Sequence, residues 1–400
     1  MARRGVDGVM KTDRPFGGPP AVEGAGVSRR DFLRGCALGG AGLLAGGAWT
    51  CMAEQEAAGA FATIPVTQLK EASYWEAAEQ GQTKCNICPH RCVRKPGEVT
   101  FCKTRINRGG RLYSLTYGRP CTLCVDPLGK NPLYHVAPGS DAIGVATAGC
   151  NLICKYCQNW DISQTGPWKT RNMDVSPRGL VQKAKDRGLK WITFSYTEPV
   201  AYLEYALEVG RVARQEGVRV AVATAGYIEE APLKELMRWS DAFSVTLKGY
   251  NDAFYKDVCG ADMESVWRSI RAISAAGRWM EVVTLVVPGM NDEIAGLSSL
   301  ARSLAAVNRD VPMHFLRFAP AYRLSQLQPT PVKTLESAHA AAVQEGLRYV
   351  YLDVSGHRLA NTYCPRCREV VIERAGFTIV RNGLRKDRCA KCNMTVAGMF

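Results

Sequence analysis

From residue 142 onward, short apolar runs alternate with stretches of helical period. The run 142–149 ends in a glycine, and a polar, cysteine-bearing loop follows. Ser176 and Pro177 supply a cap and a first-turn proline for a helix reaching about Gly188. Residues 191–195 then read as a strand, 199–216 as a helix and 218–223 as a β-rich run. The alternation continues with 229–238, 242–247, 263–276 and 280–287. It closes with a helix around 292–306, a strand around 312–317, a helix around 332–345 and a strand around 348–354. Such repetition predicts an α/β protein: a parallel sheet covered by helices.

Composition adds one feature the pattern lacks. The chain has 400 residues, 46% of them hydrophobic, which is ample for a large core and excludes simple disorder. Sixteen residues are cysteine, in short clustered spacings, and only five are histidine. This is metal chemistry built on thiolate rather than a disulfide framework. Lys and Arg number 51 against 37 Asp and Glu, a surplus of 14. The charge fits anionic or carboxylate-bearing partners, but no aromatic–basic interleaving accompanies it, so a nucleic-acid partner is not expected.

The centre of the chain carries Cys150, Cys154 and Cys157. Three thiolates within eight residues can hold one iron–sulfur cube and leave its fourth iron open to a small molecule, whereas a four-cysteine site is closed. With Tyr156 before the last cysteine, the CxxxCxxC pattern resembles the radical S-adenosylmethionine (SAM) enzymes. The surroundings narrow the resemblance. Asp126–His135, Gly149–Asn151 and Tyr156–Gln164 are similar to the AmmeMemoRadiSam-system radical SAM protein, a family related to the pyruvate formate-lyase activating enzymes. The likeness continues through Tyr196–Pro199, Leu247–Tyr250, His314–Phe315 and the terminal cysteine pairs, covering roughly residues 85–400.

The resemblance implies a partial or near-complete TIM-type barrel with ligands at the C-terminal strand ends. It also implies a [4Fe-4S] cluster, SAM, and reductive cleavage of SAM to a 5′-deoxyadenosyl radical that modifies a substrate not named by the sequence. Glu198 is placed to receive the SAM ammonium, with helix capping beside Pro199 as the competing reading. Thr224 and Gly226 would hold the methionine carboxylate or ribose, and Lys248 the SAM carboxylate or substrate. His314 would be a ribose or substrate contact, or else a satisfied core histidine. In the activating enzymes an acid commonly sits two residues before that lysine, where this chain has Thr246. Implied partners are a low-potential electron donor such as ferredoxin or flavodoxin, with either the AmmeMemoRadiSam companion proteins or a glycyl-radical protein. Glycyl-radical activation, or non-catalytic iron–sulfur electron transfer, is the alternative function.

Two further cysteine groups flank the barrel. Cys85, Cys88, Cys92 and Cys102, at separations of 3, 4 and 10 residues, can surround zinc or a second iron–sulfur cluster, with His90 beside them. Cys364, Cys367, Cys389 and Cys392 form two CxxC knuckles separated by 21 intervening residues, a zinc-ribbon pattern and a structural zinc site, with an electron relay as the lesser reading. Cys121 and Cys124 are a redox pair, an extra ligand pair or packing residues, and Cys259 reads as structural. At the amino terminus, Arg29 and Arg30 precede a weakly apolar, glycine-rich stretch to Trp49 that resembles a twin-arginine signal, with Ala58–Ala60 as a cleavage site. That segment points to membrane association or export, while SAM chemistry favours a cytoplasm-facing enzyme. The expected division is 1–60 signal and linker, 61–135 cysteine-rich module, 136–360 barrel, and 361–400 zinc-ribbon-like module.

Overall fold

The computed structural model describes residues 64–400; the twin-arginine segment, the Ala58–Ala60 site, Cys36 and Cys51 lie outside the described residues. The alternation of apolar runs builds one eight-stranded sheet. Its strands are β1 (Thr122–Pro127), β2 (Asp141–Ala146), β3 (Trp191–Phe194), β4 (Arg219–Thr224), β5 (Ala242–Thr246), β6 (Trp279–Val286), β7 (Met313–Arg317) and β8 (Val350–Asp353). They lie side by side in chain order. β2 to β8 run parallel, and β1 is antiparallel to β2, from Thr122 opposite Ala146 to Pro127 opposite Asp141. No pairing joins β8 to β1 among the described residues, so the barrel is partial.

Helices α1 (Pro177–Asp186), α2 (Leu203–Gln215), α3 (Glu230–Trp239), α4 (Met263–Ala275), α5 (Ile294–Val307) and α6 (Val332–Gln344) connect the parallel strands. With helices outside and a filled interior, the parallel strands are apolar nearly throughout. Val145, Phe194, Val222, Val245, Val282, Phe315 and Leu352, one from each, are fully buried. The expected cap at Ser176 forms, its hydroxyl accepting from Gly179 N at 3.1 Å with Pro177 in the first turn. The helix expected over 199–216 starts as a 3-10 turn, Pro199–Tyr202, before α2.

Residues 64–120 form two small antiparallel sheets, and residues 361–400 a three-stranded and a two-stranded one. The second group packs beneath the barrel, against residues that precede β2 and β8. Arg374 donates to Tyr134 O at 2.9 Å and stacks over its ring, and Met399 exchanges backbone bonds with His135 and Ala137. Glu281, the third residue of β6, anchors this end. Its fully buried carboxylate accepts from the backbone N–H of Tyr134 and His135 and lies 2.8 Å from His314 Nε2. Burial alone would raise its pKa, but His314, His135 and the N–H donors outweigh that and hold it below the usual range.

Candidate active site at the C-terminal strand ends

β2 ends at Ala146, and Thr147–Gly149 leads directly into the cysteine loop. Gly149 has φ +89°, a region open to glycine, and a Cβ there would stand 2.3 Å from both Cys102 O and Thr104 Cγ2. The loop is fastened at several points. Ile153 N and Lys155 N donate to Cys259 O and Val258 O, Asn151 Nδ2 donates to Tyr227 O, and Gln164 Nε2 donates to Leu152 O. Leu152 N points at the Cys150 sulfur at 3.4 Å, and Ser163 Oγ lies 3.2 Å from that of Cys157. These contacts fix the three thiols to the barrel mouth, although no trio of them falls within 4.8 Å as single-ion ligands would.

The next three strands end beside them. After β3, Tyr196 takes φ +63° and its carbonyl accepts from Asn159 Nδ2, while Thr197 Oγ1 donates to Thr147 O at 2.8 Å. This turn presents Glu198, which is buried. Its Oε1 accepts from Thr224 Oγ1 at 2.5 Å and its Oε2 from Ala225 N at 2.7 Å. Burial pushes its carboxyl pKa up against those donors and Lys248. Gly226, at φ +69°, donates its N–H to Thr224 Oγ1 at 3.0 Å, and its carbonyl accepts from Ser269 Oγ on α4. Past β5, Lys248 is held by its backbone: its N–H donates to Tyr255 OH and its carbonyl accepts from Asn291 Nδ2. Desolvation would lower its ammonium pKa, but the surrounding thiols Cys154, Cys259, Cys150 and Cys157 raise it overall.

Glu198, Thr224, Gly226 and Lys248 therefore gather with the three cysteines at one end of the sheet. His314 does not. It is the second residue of β7, at the opposite end of the strand from the cysteine loop, with its ring on Glu281 and between Tyr134 and Tyr351. The competing reading of a satisfied core histidine is the one the geometry matches.

Cys259 is a site residue the sequence did not reveal. It ends a helical turn after β5 and carries no motif, yet its buried free thiol sits beside Cys154 and lies 3.6 Å from Tyr156 OH. Hydrogen bonding from Cys154, reinforced by Lys248, lowers its pKa despite burial. Asn291 pins Lys248 in place, its amide donating to the Lys248 carbonyl at 2.9 Å. Cys121 and Cys124 straddle the start of β1; three residues apart on extended chain, they face opposite sides of the sheet and do not make a chelating pair.

At the other end of the molecule, Cys364, Cys367, Cys389 and Cys392 bring their sulfurs within 4.8 Å of one another. Cys364 to Cys392 measures 3.5 Å and Cys367 to Cys389 3.7 Å. A zinc tetrahedron with bonds of about 2.3 Å has sulfur–sulfur edges of about 3.8 Å, so the set is dimensioned for one such ion.

Comparison with known proteins agrees with this geometry. The family model described as Radical SAM superfamily matches residues 145–299. An uncharacterized protein of Methanocaldococcus jannaschii is 39% identical over 328 residues, covering 81% of this chain and 98% of that protein. A pyruvate formate-lyase-activating enzyme of Clostridium pasteurianum is 24% identical over 40% of this chain and 70% of its own length. An isethionate sulfite-lyase activating enzyme of Oleidesulfovibrio alaskensis is 25% identical over 57% of this chain and 76% of its own length. The cysteine loop at the mouth of a parallel sheet, the family model over residues 145–299 and a relative 39% identical across 81% of the chain place this protein in the radical SAM superfamily.

Proposed function

We propose that the chain is a radical SAM enzyme of the AmmeMemoRadiSam type, with Cys150, Cys154 and Cys157 as cluster ligands and Glu198, Thr224, Gly226 and Lys248 as the SAM cradle. The observation that carries this is the convergence of three thiols, one buried carboxylate and one lysine at the C-terminal strand ends. The donor set fits a [4Fe-4S] cluster: three thiols on one anchored loop, spaced wider than single-ion ligands, beside a cation suited to an anionic cluster. Bound together, cluster and SAM supply one-electron cleavage of the sulfonium carbon–sulfur bond, giving methionine and a 5′-deoxyadenosyl radical.

The protein's share is placement and exclusion of water. Glu198, ionised, offers a carboxylate to the SAM ammonium, and its bonds to Thr224 and Ala225 N fix the direction of its oxygens. The turn at Thr224–Gly226 exposes backbone to the methionine or ribose end, with Ser269 locking the Gly226 carbonyl from behind. Lys248, steadied by Tyr255 and Asn291, presents its ammonium to a carboxylate of SAM or of substrate. The electron comes from a ferredoxin- or flavodoxin-like donor. The substrate lies with the companion proteins of the AmmeMemoRadiSam system, on the strength of the Asp126–His135 and Tyr156–Gln164 segments. The names of the activating-enzyme relatives favour a second reading, hydrogen abstraction from a glycine of a partner enzyme. The C-terminal sulfur geometry supports zinc, in a structural role beneath the barrel. The twin-arginine-like segment supports a membrane-held enzyme facing the cytoplasm, where SAM is made; fractionation and N-terminal sequencing test that.

The test of function is anaerobic reconstitution with iron and sulfide, reduction with dithionite, and measurement of 5′-deoxyadenosine from SAM. Nucleoside should form in the wild type and vanish in C150A/C154A/C157A. No nucleoside from iron-loaded wild type would overturn the reading. Glycyl-radical activation is supported if a partner chain acquires a glycine-centred radical signal.

A further inference from the structure

We infer that Cys85, Cys88, Cys92 and Cys102 bind a second iron–sulfur cluster, seated against the loop that holds the first. The inference rests on the radical SAM reading only for the identity of its neighbour.

The four thiols come from three short turns. Backbone N–H of Cys85 donates to Cys92 O at 3.0 Å, Arg91 N to Cys88 O, and Lys103 N to Thr100 O. Cys85, Cys88 and Cys102 are buried and Cys92 is half-buried. The spacing of their sulfurs separates the candidates for occupant. Among the described residues, only the C-terminal set gathers three or more ligand atoms within 4.8 Å of one another. In every trio of the N-terminal thiols, at least one pair therefore stands farther apart. One chain thus holds two four-cysteine groups of different size. The compact one suits a single ion, while a cluster carries its thiolates outward from different iron atoms and needs the wider span.

The surroundings suit a redox group. The Cys102 sulfur lies 3.2 Å from Thr100 Oγ1, 3.0 Å from Thr104 Oγ1 and 3.9 Å from Arg105 Nη1. Hydrogen bonds onto cluster sulfurs are among the main levers on potential. Arg105 is itself fully buried and paired with Glu204 at 2.8 Å, so its position is fixed from α2. His90 ties this group to the cysteine loop: its Nε2 lies 2.8 Å from Asn151 O, and its ring packs at a tilt against Phe101.

Contact with the first site is direct. Gly149 lets Cys102 O and Thr104 approach to a distance that no side chain would allow. Asn151, next to Cys150, meets His90 Nε2 through its carbonyl at 2.8 Å, two residues along from Cys88. A second cluster here would lie against the cysteine loop itself.

The experiment uses the full chain reconstituted anaerobically, in wild-type form and as C150A/C154A/C157A. Iron, acid-labile sulfide and zinc are counted per chain, and dithionite-reduced samples are examined by electron paramagnetic resonance. The triple variant should keep roughly two to four irons with matching sulfide, a reduced-cluster signal, and about one zinc. Adding C102S to it should abolish that signal. An iron-free triple variant with about two zinc ions would overturn the inference, as would a signal untouched by C102S. Failure of the SAM-cluster reading shows differently: wild type and triple variant would then carry equal iron.

Discussion

Replacing Glu198 by Gln tests the SAM cradle with a change of charge at nearly constant shape. The wild-type carboxylate is already oriented by Thr224 Oγ1 and Ala225 N, so it offers its remaining acceptor capacity to a cation without reorganising. A hydrogen bond to a charged group contributes about 1.5–3 kcal/mol. Losing it should weaken SAM binding about 10- to 150-fold, measured by equilibrium dialysis or calorimetry on the reconstituted protein. The sign of the pH effect follows from burial. Because the folded-state pKa of Glu198 is raised, the folded protein binds its proton more tightly than the unfolded chain does. This group therefore favours folding at low pH, and that contribution is lost as pH rises from the ordinary carboxylate range through the raised value. Against E198Q, which does not titrate, SAM-free wild type should lose relative stability across that window. SAM binding by wild type should strengthen over the same interval, as the carboxylate ionises. Unchanged SAM affinity in E198Q, with iron loading intact, would refute the assignment.

Three further outcomes follow from the packing. Arg105→Met or Glu204→Leu alone should cost about 3–5 kcal/mol in chemical denaturation, since either leaves a buried charge unpaired, whereas the double variant should cost clearly less than the sum. Additive costs would show that the pair does not act as a unit. Gly149→Ala adds overpacking of about 1–3 kcal/mol to positive-φ strain of about 1–3 kcal/mol, so its melting temperature should fall by at least about 4 °C. An unchanged melt would mean that the loop and Cys102 separate freely. Cys389→Ser should remove about one zinc per chain and open residues 361–400 to limited proteolysis, because such a module draws much of its folding energy from the metal. Retained zinc with a protected terminus would contradict that.

The parallel strands and their helices were legible because each is buried by the same repeated arrangement. The run 191–195 became Trp191–Phe194, and the helix expected at 332–345 became Val332–Gln344. β1 was not legible. It is an antiparallel edge strand with half-exposed residues and cysteines that drew attention to chemistry instead. The cysteine loop and the strand-end residues carried local motifs, so Glu198, Thr224, Gly226 and Lys248 could be placed by counting from strand ends. His314 shows a different limit: its strand was expected at about 312–317 and lies at Met313–Arg317, so the histidine stands at the start of the strand, the end away from the cysteine loop. Cys259, Asn291 and Glu281 owe their roles to partners 103, 43 and 147 residues away along the chain, which no local pattern encodes.

The closure beneath the barrel also bears on how the chain is made. His135 Nδ1 bonds to Ala397 O, and Met399 joins the backbone of His135 and Ala137, across a sequence separation of 262 residues. Chains emerge from the ribosome at about 5–20 residues per second, so every nascent molecule spends many seconds with Glu281, His135 and Tyr351 uncapped. Closure of the barrel's lower end is thus among the last steps of folding, open to the chain only after translation has passed residue 399.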